Sequence, residues 1–170
     1  MQANTKIKVI FTVALVALGI QSCFKAEEYP LEPEISNAVV SVSGDSAIVS
    51  FDFTDGDADL GLPPSDTFGV YAPESYYYNN IYLDYYEKDD AQGWVPGLDL
   101  DMDTIRFGYR IKPIEVSKNT EGIKGTIDVT IESFKNPFSS QSDTVKFRIK
   151  LIDRALNESN VIETDEITSQ

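Results

Sequence analysis

Asp55, Asp57 and Asp59 stand at every second position in Phe53-Thr54-Asp55-Gly56-Asp57-Ala58-Asp59-Leu60-Gly61-Leu62. Three carboxylates alternating through a turn converge only if a positive charge cancels their repulsion, and hard oxygen donors of this kind suit Ca2+ best. Counted from Asp55, an EF-hand-like loop takes ligands from Asp55, Asp57, Asp59 and, at its twelfth position, Asp66. Position 6 is Leu60 rather than glycine, Asp66 is shorter than the usual glutamate, and the flanks read as strands. The loop is therefore a cation loop on another scaffold, not an EF-hand. Gly56 and Gly61 permit φ > 0 and so let carbonyl oxygens turn toward an ion. The alternative is an acidic turn whose aspartates cap their own backbone.

The elements that must position this loop are strands. Alternating apolar and polar residues bounded by Gly, Pro, Asn and Asp predict half-buried strands throughout. Residues 38–43 and 46–54 form a hairpin around Gly44-Asp45, with Val49, Phe51 and Phe53 on one face. A strand is expected over 76–88, then a turn at 89–93 leading into Trp94-Val95. Three clear alternations follow: Ile105, Phe107, Tyr109, Ile111; Ile123, Ile127, Val129, Ile131; and Val145, Phe147, Ile149, Leu151. A short strand over 161–167 closes the chain. Seven or eight strands with no βαβ alternation predict an all-β fold, an immunoglobulin-like antiparallel β-sandwich occupying residues 35–170, with a barrel as the alternative. In such a sandwich the loops after the second and sixth strands emerge at the same end, which brings Asp153 and Asn157 toward Asp55, Asp57 and Asp59. A second alternation, Asp99, Asp101 and Asp103, lacks glycines and reads as a solvated strand face.

The 170 residues accommodate one domain and a leader. Lys6 and Lys8 precede an apolar run from Val9 to Ile20, and Gln21-Ser22-Cys23 closes it, the plan of a signal peptide over 1–22. Cys23 is the only cysteine, so a disulfide within the chain is excluded. Ile20, Gln21, Ser22 and Cys23 resemble the lipobox of a bacterial lipoprotein signal, which implies lipidation of Cys23 and membrane attachment through the N-terminal lipid. Residues 23–34, with two prolines and four glutamates, read as an extended acidic tether. Lys25 followed by Glu27 and Glu28 resembles the export signal that sends Bacteroidota lipoproteins to the outer face of the outer membrane. After Cys23 the chain has 28 acidic against 12 basic residues, a formal charge of −16. Such a charge disfavours nucleic acid and suits cations.

The loop 53–62, together with Asn80-Ile81-Tyr82-Leu83-Asp84-Tyr85-Tyr86-Glu87-Lys88 and Ile152-Asp153-Arg154-Ala155-Leu156-Asn157-Glu158-Ser159-Asn160, resembles an uncharacterised family of Bacteroidota outer-membrane lipoproteins. The resemblance implies location and architecture rather than a reaction. Ala58 stands where that family commonly has glycine.

Catalysis of the usual kinds is disfavoured. The chain has no histidine, hence no Ser-His or Cys-His pair, and zinc is a poor fit. The expectation is a non-enzymatic binding or structural protein of the envelope, with an envelope protein or glycan as partner. Tyr82, Tyr86 and Trp94 lie in the densest aromatic stretch and offer stacking faces for sugar rings, so a glycan-binding accessory lipoprotein of a polysaccharide uptake system is the rival reading. Seven basic residues, Arg106, Arg110, Lys112, Lys124, Lys146, Arg148 and Lys150, fall on the wet faces of the late strands and read mainly as exposed sheet residues that discourage edge pairing.

Overall fold

The computed structural model describes residues 28–117, 120–139 and 143–168. Cys23 and the leader lie outside them. Nine strands are present among the described residues: β1 Glu34–Ser43, β2 Ser46–Asp55, β3 Ile81–Asp89, β4 Gly93–Pro96, β5 Arg106–Tyr109, β6 Ile123–Ile131, β7 Thr144–Leu151, β8 Ile162–Glu163 and β9 Ile167–Thr168. One sheet has the order β1-β2-β6. The other runs β4-β3-β7-β8, with β5 also on β3 and β9 also on β7. All pairings are antiparallel. This is the expected antiparallel β-sandwich, with nine strands rather than seven or eight and the β3–β7 pair central in the larger sheet.

Alternation builds the core. Ala47, Val49, Phe51 and Phe53 of β2 and Ile127, Val129 and Ile131 of β6 face inward from one sheet. Leu83, Tyr85, Val145, Phe147, Ile149 and Leu151 meet them from the other. The period-two register of β2 extends one step past Phe53, so that Asp55 occupies the next inward position, paired across to Ile123. A strand that buries its apolar residues on every second site thereby buries a carboxylate at its end.

Several expected elements are revised. Tyr76–Tyr78 is a 3-10 turn and the strand begins only at Ile81. The Ser75 side chain accepts a hydrogen bond from the Tyr77 N–H at 3.1 Å, and this local capping outcompetes the strand preference of three tyrosines. The strand expected over 105–112 is reduced to Arg106–Tyr109. The segment 161–167 is two strands, because Thr164 turns its hydroxyl onto the Phe147 N–H at 3.1 Å between them. Asp99-Asp101-Asp103 is a turn, not a strand face: Leu98 and Thr104 bridge across it and Asp99 Oδ1 accepts from the Asp101 and Asp103 amides at 2.9 and 3.0 Å. The described end of the tether does not stand away from the domain, since the carbonyls of Tyr29 and Pro30 lie directly against Gly56. Among the described residues no helix is long and apolar enough to cross a membrane.

Candidate metal centre

Asp55, Asp57 and Asp59 each present one carboxylate oxygen, and these atoms all lie within 4.8 Å of one another. The loop that gathers them leaves β2 through Gly56. A Cβ there would sit 2.3 Å from the Pro30 carbonyl oxygen, so glycine is required by close approach rather than by a positive φ. Ala58 reverses the chain in the left-handed region at φ 60°, and Gly61 does so at φ 106°. Leu60 and Leu62 are buried, and the segment is tied to residues after β5 by Leu62 N–H to Ile111 O at 2.9 Å and Ile114 N–H to Leu60 O at 3.2 Å.

Asp153 arrives from the other sheet, two residues beyond β7, and is buried at the same end of the sandwich. Its charge acts on Asp55 and Asp59, as the topology predicts. Asn157 holds it: the Asn157 N–H donates to Asp153 Oδ1 at 2.7 Å and the Asn157 Nδ2 to Oδ2 at 2.8 Å. Asn157 thus positions a carboxylate through its donors. Asp66 does not take the twelfth-position role; its Oδ2 pairs with the Arg154 guanidinium at 3.0 Å.

The electrostatics are those of an over-negative pocket. Asp55 is 0 % exposed, and neither of its carboxylate oxygens has a hydrogen-bond partner. Burial, then the charges of Asp57, Asp59 and Asp153, push its pKa up to about 7, with the Asp59 amide offsetting a little. Asp59 is raised by burial and by Asp153 and Asp57, against the amides of Arg154 and Ala155. Asp153 is raised by burial and, less, by Asp57, while its Asn157 bonds hold it down. A buried anion without donors is costly. A hard divalent cation held by the three aspartates would relieve that cost, with the charge of Asp153 acting alongside.

Three further residues, none of them read as a site residue from the sequence, serve this end of the molecule. Arg154 donates its amide to Asp59 Oδ1 at 3.3 Å, and its carbonyl accepts from the Tyr71 hydroxyl at 2.6 Å. Asn80, fully buried, joins three segments: its carbonyl accepts from Ile152 N–H at 2.9 Å, its Oδ1 from Ile111 N–H at 2.9 Å, and its own amide donates to Tyr109 O at 3.0 Å. Only the position of Asp153 and Arg154 in one turn hinted at the first of these.

The aromatic stretch is arranged differently from a sugar platform. Tyr82 is buried, stacks on Tyr76 with ring centroids 5.1 Å apart, and hydrogen-bonds the Tyr76 carbonyl. Tyr86 carries the Arg148 guanidinium 5.5 Å above its ring and accepts from Arg148 Nη1 at 3.0 Å. Trp94 has the ammonium groups of Lys146 and Lys88 at 4.5 and 5.6 Å. The basic residues of this face are themselves paired, Arg106 with Asp84, Lys146 and Arg148 with Glu163, and Lys150 with Glu158. Arg110 is turned to a structural task, its guanidinium donating to the carbonyls of Tyr78, Pro63 and Asp66.

No protein-family model and no curated protein matches the chain. Two crystal forms of wild-type OgpA from Akkermansia muciniphila are similar to it in structure at 13 % identity, with TM-scores of 0.37 and 0.34. They cover 84 % and 88 % of this chain, which spans 30 % of the OgpA chain in each case.

Proposed function

We propose that this chain is a lipid-anchored β-sandwich of the outer membrane, facing the cell surface, that acts as a non-catalytic binding or structural component and whose loop end is built around a Ca2+ ion. The observation that carries the ion is Asp55: a fully buried carboxylate with both oxygens unpartnered, in a cluster with Asp57 and Asp59. The nearby Arg154 guanidinium is directed at Asp66 rather than at Asp55. Ca2+ is favoured over Mg2+ by the irregular loop that supplies the oxygens, since Mg2+ demands near-ideal octahedral geometry. The lipid on Cys23 supplies the attachment.

Thermal unfolding of the purified protein in EDTA, in millimolar Ca2+ and in millimolar Mg2+ tests the ion. At about 100 times its dissociation constant the ion adds roughly 2.7 kcal/mol, several degrees for a domain of this size. A Ca2+-specific rise that disappears in Asp55→Asn supports the reading; identical midpoints in all three buffers overturn it. The rival, glycan binding on Tyr82, Tyr86 and Trp94, has only their abundance behind it, since cations already cover Tyr86 and Trp94 and Tyr82 is buried. A glycan array bound by wild type and lost in Trp94→Ala selects the rival.

A further inference from the structure

At the end of the sandwich opposite the aspartate cluster, β3 repeats the event seen in β2: an inward register position is taken by an acid. Glu87 follows Leu83 and Tyr85 on the core face and is 5 % exposed. It lies in a groove of about 480 Å3 whose other walls include Leu98, Leu100, Met102, Asn136 and Phe138. Three of the apolar residues on the rim are unusually open, Leu100 at 71 %, Met102 at 72 % and Phe138 at 65 % exposed. Clustered exposed apolar side chains of this size mark an interaction site.

The carboxylate is held in place from inside. Asn136 Nδ2 donates to Glu87 Oε1 at 3.1 Å and to the Leu98 carbonyl at 2.9 Å, and its Oδ1 accepts from Phe138 N–H at 3.1 Å. Ser139 Oγ donates to Glu87 Oε2 at 2.6 Å. Glu87 has no salt-bridge partner among the described residues, and no lysine or arginine lines the groove. Lys135, on the adjoining loop, pairs with Asp45 at 3.5 Å. A second acid, Asp99, is among the lining residues. A groove that sets apolar side chains beside a fixed anion is complementary to a cation on an apolar stem.

We propose that this groove receives a lysine side chain from a partner polypeptide, its alkyl stem lying on Leu98, Met102 and Phe138 and its ammonium reaching Glu87. Lysine is preferred to arginine because both oxygens of Glu87 already accept from fixed donors and the Tyr85 hydroxyl also acts on the carboxylate, which crowds the paired approach. The bidentate fork of a guanidinium needs two parallel acceptor positions, whereas an ammonium is a point charge that uses whichever lone pair remains. The site is independent of the metal centre, being built from the far end of β3, from β4 and from the segments 98–102 and 136–139.

The test uses n-hexylammonium as the probe, with hexanoate and hexanol as controls of the same length. The chain contains two methionines, Met1 and Met102, so a methyl-labelled sample reports directly from the groove wall. Hexylammonium is expected to shift the Met102 methyl signal saturably, hexanoate to leave it unmoved, and Glu87→Gln to weaken the titration at least tenfold. Phe138→Ala, which keeps the carboxylate and its two donors, is expected to weaken it several-fold and covers the case in which Glu87→Gln unfolds. A short acetylated, amidated Ala-Leu-Lys-Leu-Ala peptide is expected to compete with hexylammonium, and its arginine counterpart to compete less. Equal binding of hexylammonium by wild type and Glu87→Gln, equal binding of hexanoate or hexanol, or tighter binding of the arginine peptide overturns the proposal. Repeating the titration in EDTA and in Ca2+ separates it from the metal reading, since the groove is expected to bind alike in both.

Discussion

Asp55-Gly56-Asp57-Ala58-Asp59 and Asp99-Leu100-Asp101-Met102-Asp103 carry the same alternation of carboxylates, and both reverse direction at the fourth residue, Ala58 at φ 60° and Met102 at φ 67°. In the second loop the leading aspartate folds back and accepts from the amides of Asp101 and Asp103, a self-contained Asx turn in solvent. In the first the leading aspartate is the last inward residue of a core strand, so its carboxylate is committed to the interior before the turn begins. It closes no hydrogen bond there, the Asp59 amide being the one donor that acts on it, and Asp57 and Asp59 come round to the same point. Carboxylate spacing alone therefore does not make a cation site. What separates the two loops is whether the first carboxylate closes hydrogen bonds with the backbone of its own turn, as Asp99 does twice and Asp55 does not.

The largest effect expected from this contrast is on ion binding. Asp55→Asn removes the whole Ca2+-dependent gain, roughly 2.7 kcal/mol at 100-fold saturation, while Asp99→Asn keeps it; paired melting curves in EDTA and Ca2+ check both. Next comes pH dependence without metal. The folded pKa of Asp55 lies at about 7, above its ordinary value of 3.8, so between these values the folded state binds a proton that the unfolded state has lost. Metal-free stability is thus expected to fall as pH rises from about 4 to about 7, by on the order of a few kcal/mol, with Asp59 and Asp153 acting in the same direction. Denaturant titrations across that range should show the fall in EDTA, a flatter profile in Asp55→Asn, and an undiminished fall in Asp99→Asn.

Smaller effects sharpen the comparison from the other side. Asp99→Ala loses the two amide bonds that close its turn and is expected to cost about 1 kcal/mol, equally with and without Ca2+. Ala58→Gly and Met102→Gly each relieve a left-handed non-glycine residue. The relief of about 1 kcal/mol is partly offset by the greater freedom of glycine in the unfolded chain, leaving a net gain of about 0.5 kcal/mol in both loops by chemical denaturation. A gain confined to one of them would show that their reversals are not equivalent.

Residue order made much of this legible. The strands at 123–131 and 144–151 were plain because β-branched and apolar residues alternate with charges over a full strand length, and nothing local competes. The convergence of Asp55, Asp57 and Asp59 was visible in their spacing, and the approach of Asp153 followed from strand order alone. The 3-10 turn at Tyr76–Tyr78 was hidden because tyrosine favours strands and the decisive contact is a single serine cap. Asp66 was misplaced because loop arithmetic from a helical scaffold does not transfer to a loop that leaves a strand, and Arg154 claimed its carboxylate. Asn80, Tyr71 and the Glu87 groove are assembled from segments far apart in the chain, and no window of sequence contains them.

The close approach of Tyr29 and Pro30 to Gly56 has a mechanical meaning. It fixes where the chain enters the domain, at the aspartate end, so that β1 starts there, pairing Glu34 with Thr54, and runs toward the turn at Gly44. Were the proposed anchor to pull at this entry point and the proposed partner at the Glu87 groove, tension would pass along the strands rather than across them. Loaded in that direction the β1–β2 ladder resists as a whole, sharing the force among its hydrogen bonds instead of opening them one by one like a zip. An ion gripped between the end of β2 and the turn after β7 would then act as a rivet between the two sheets, at the point where the pull is applied.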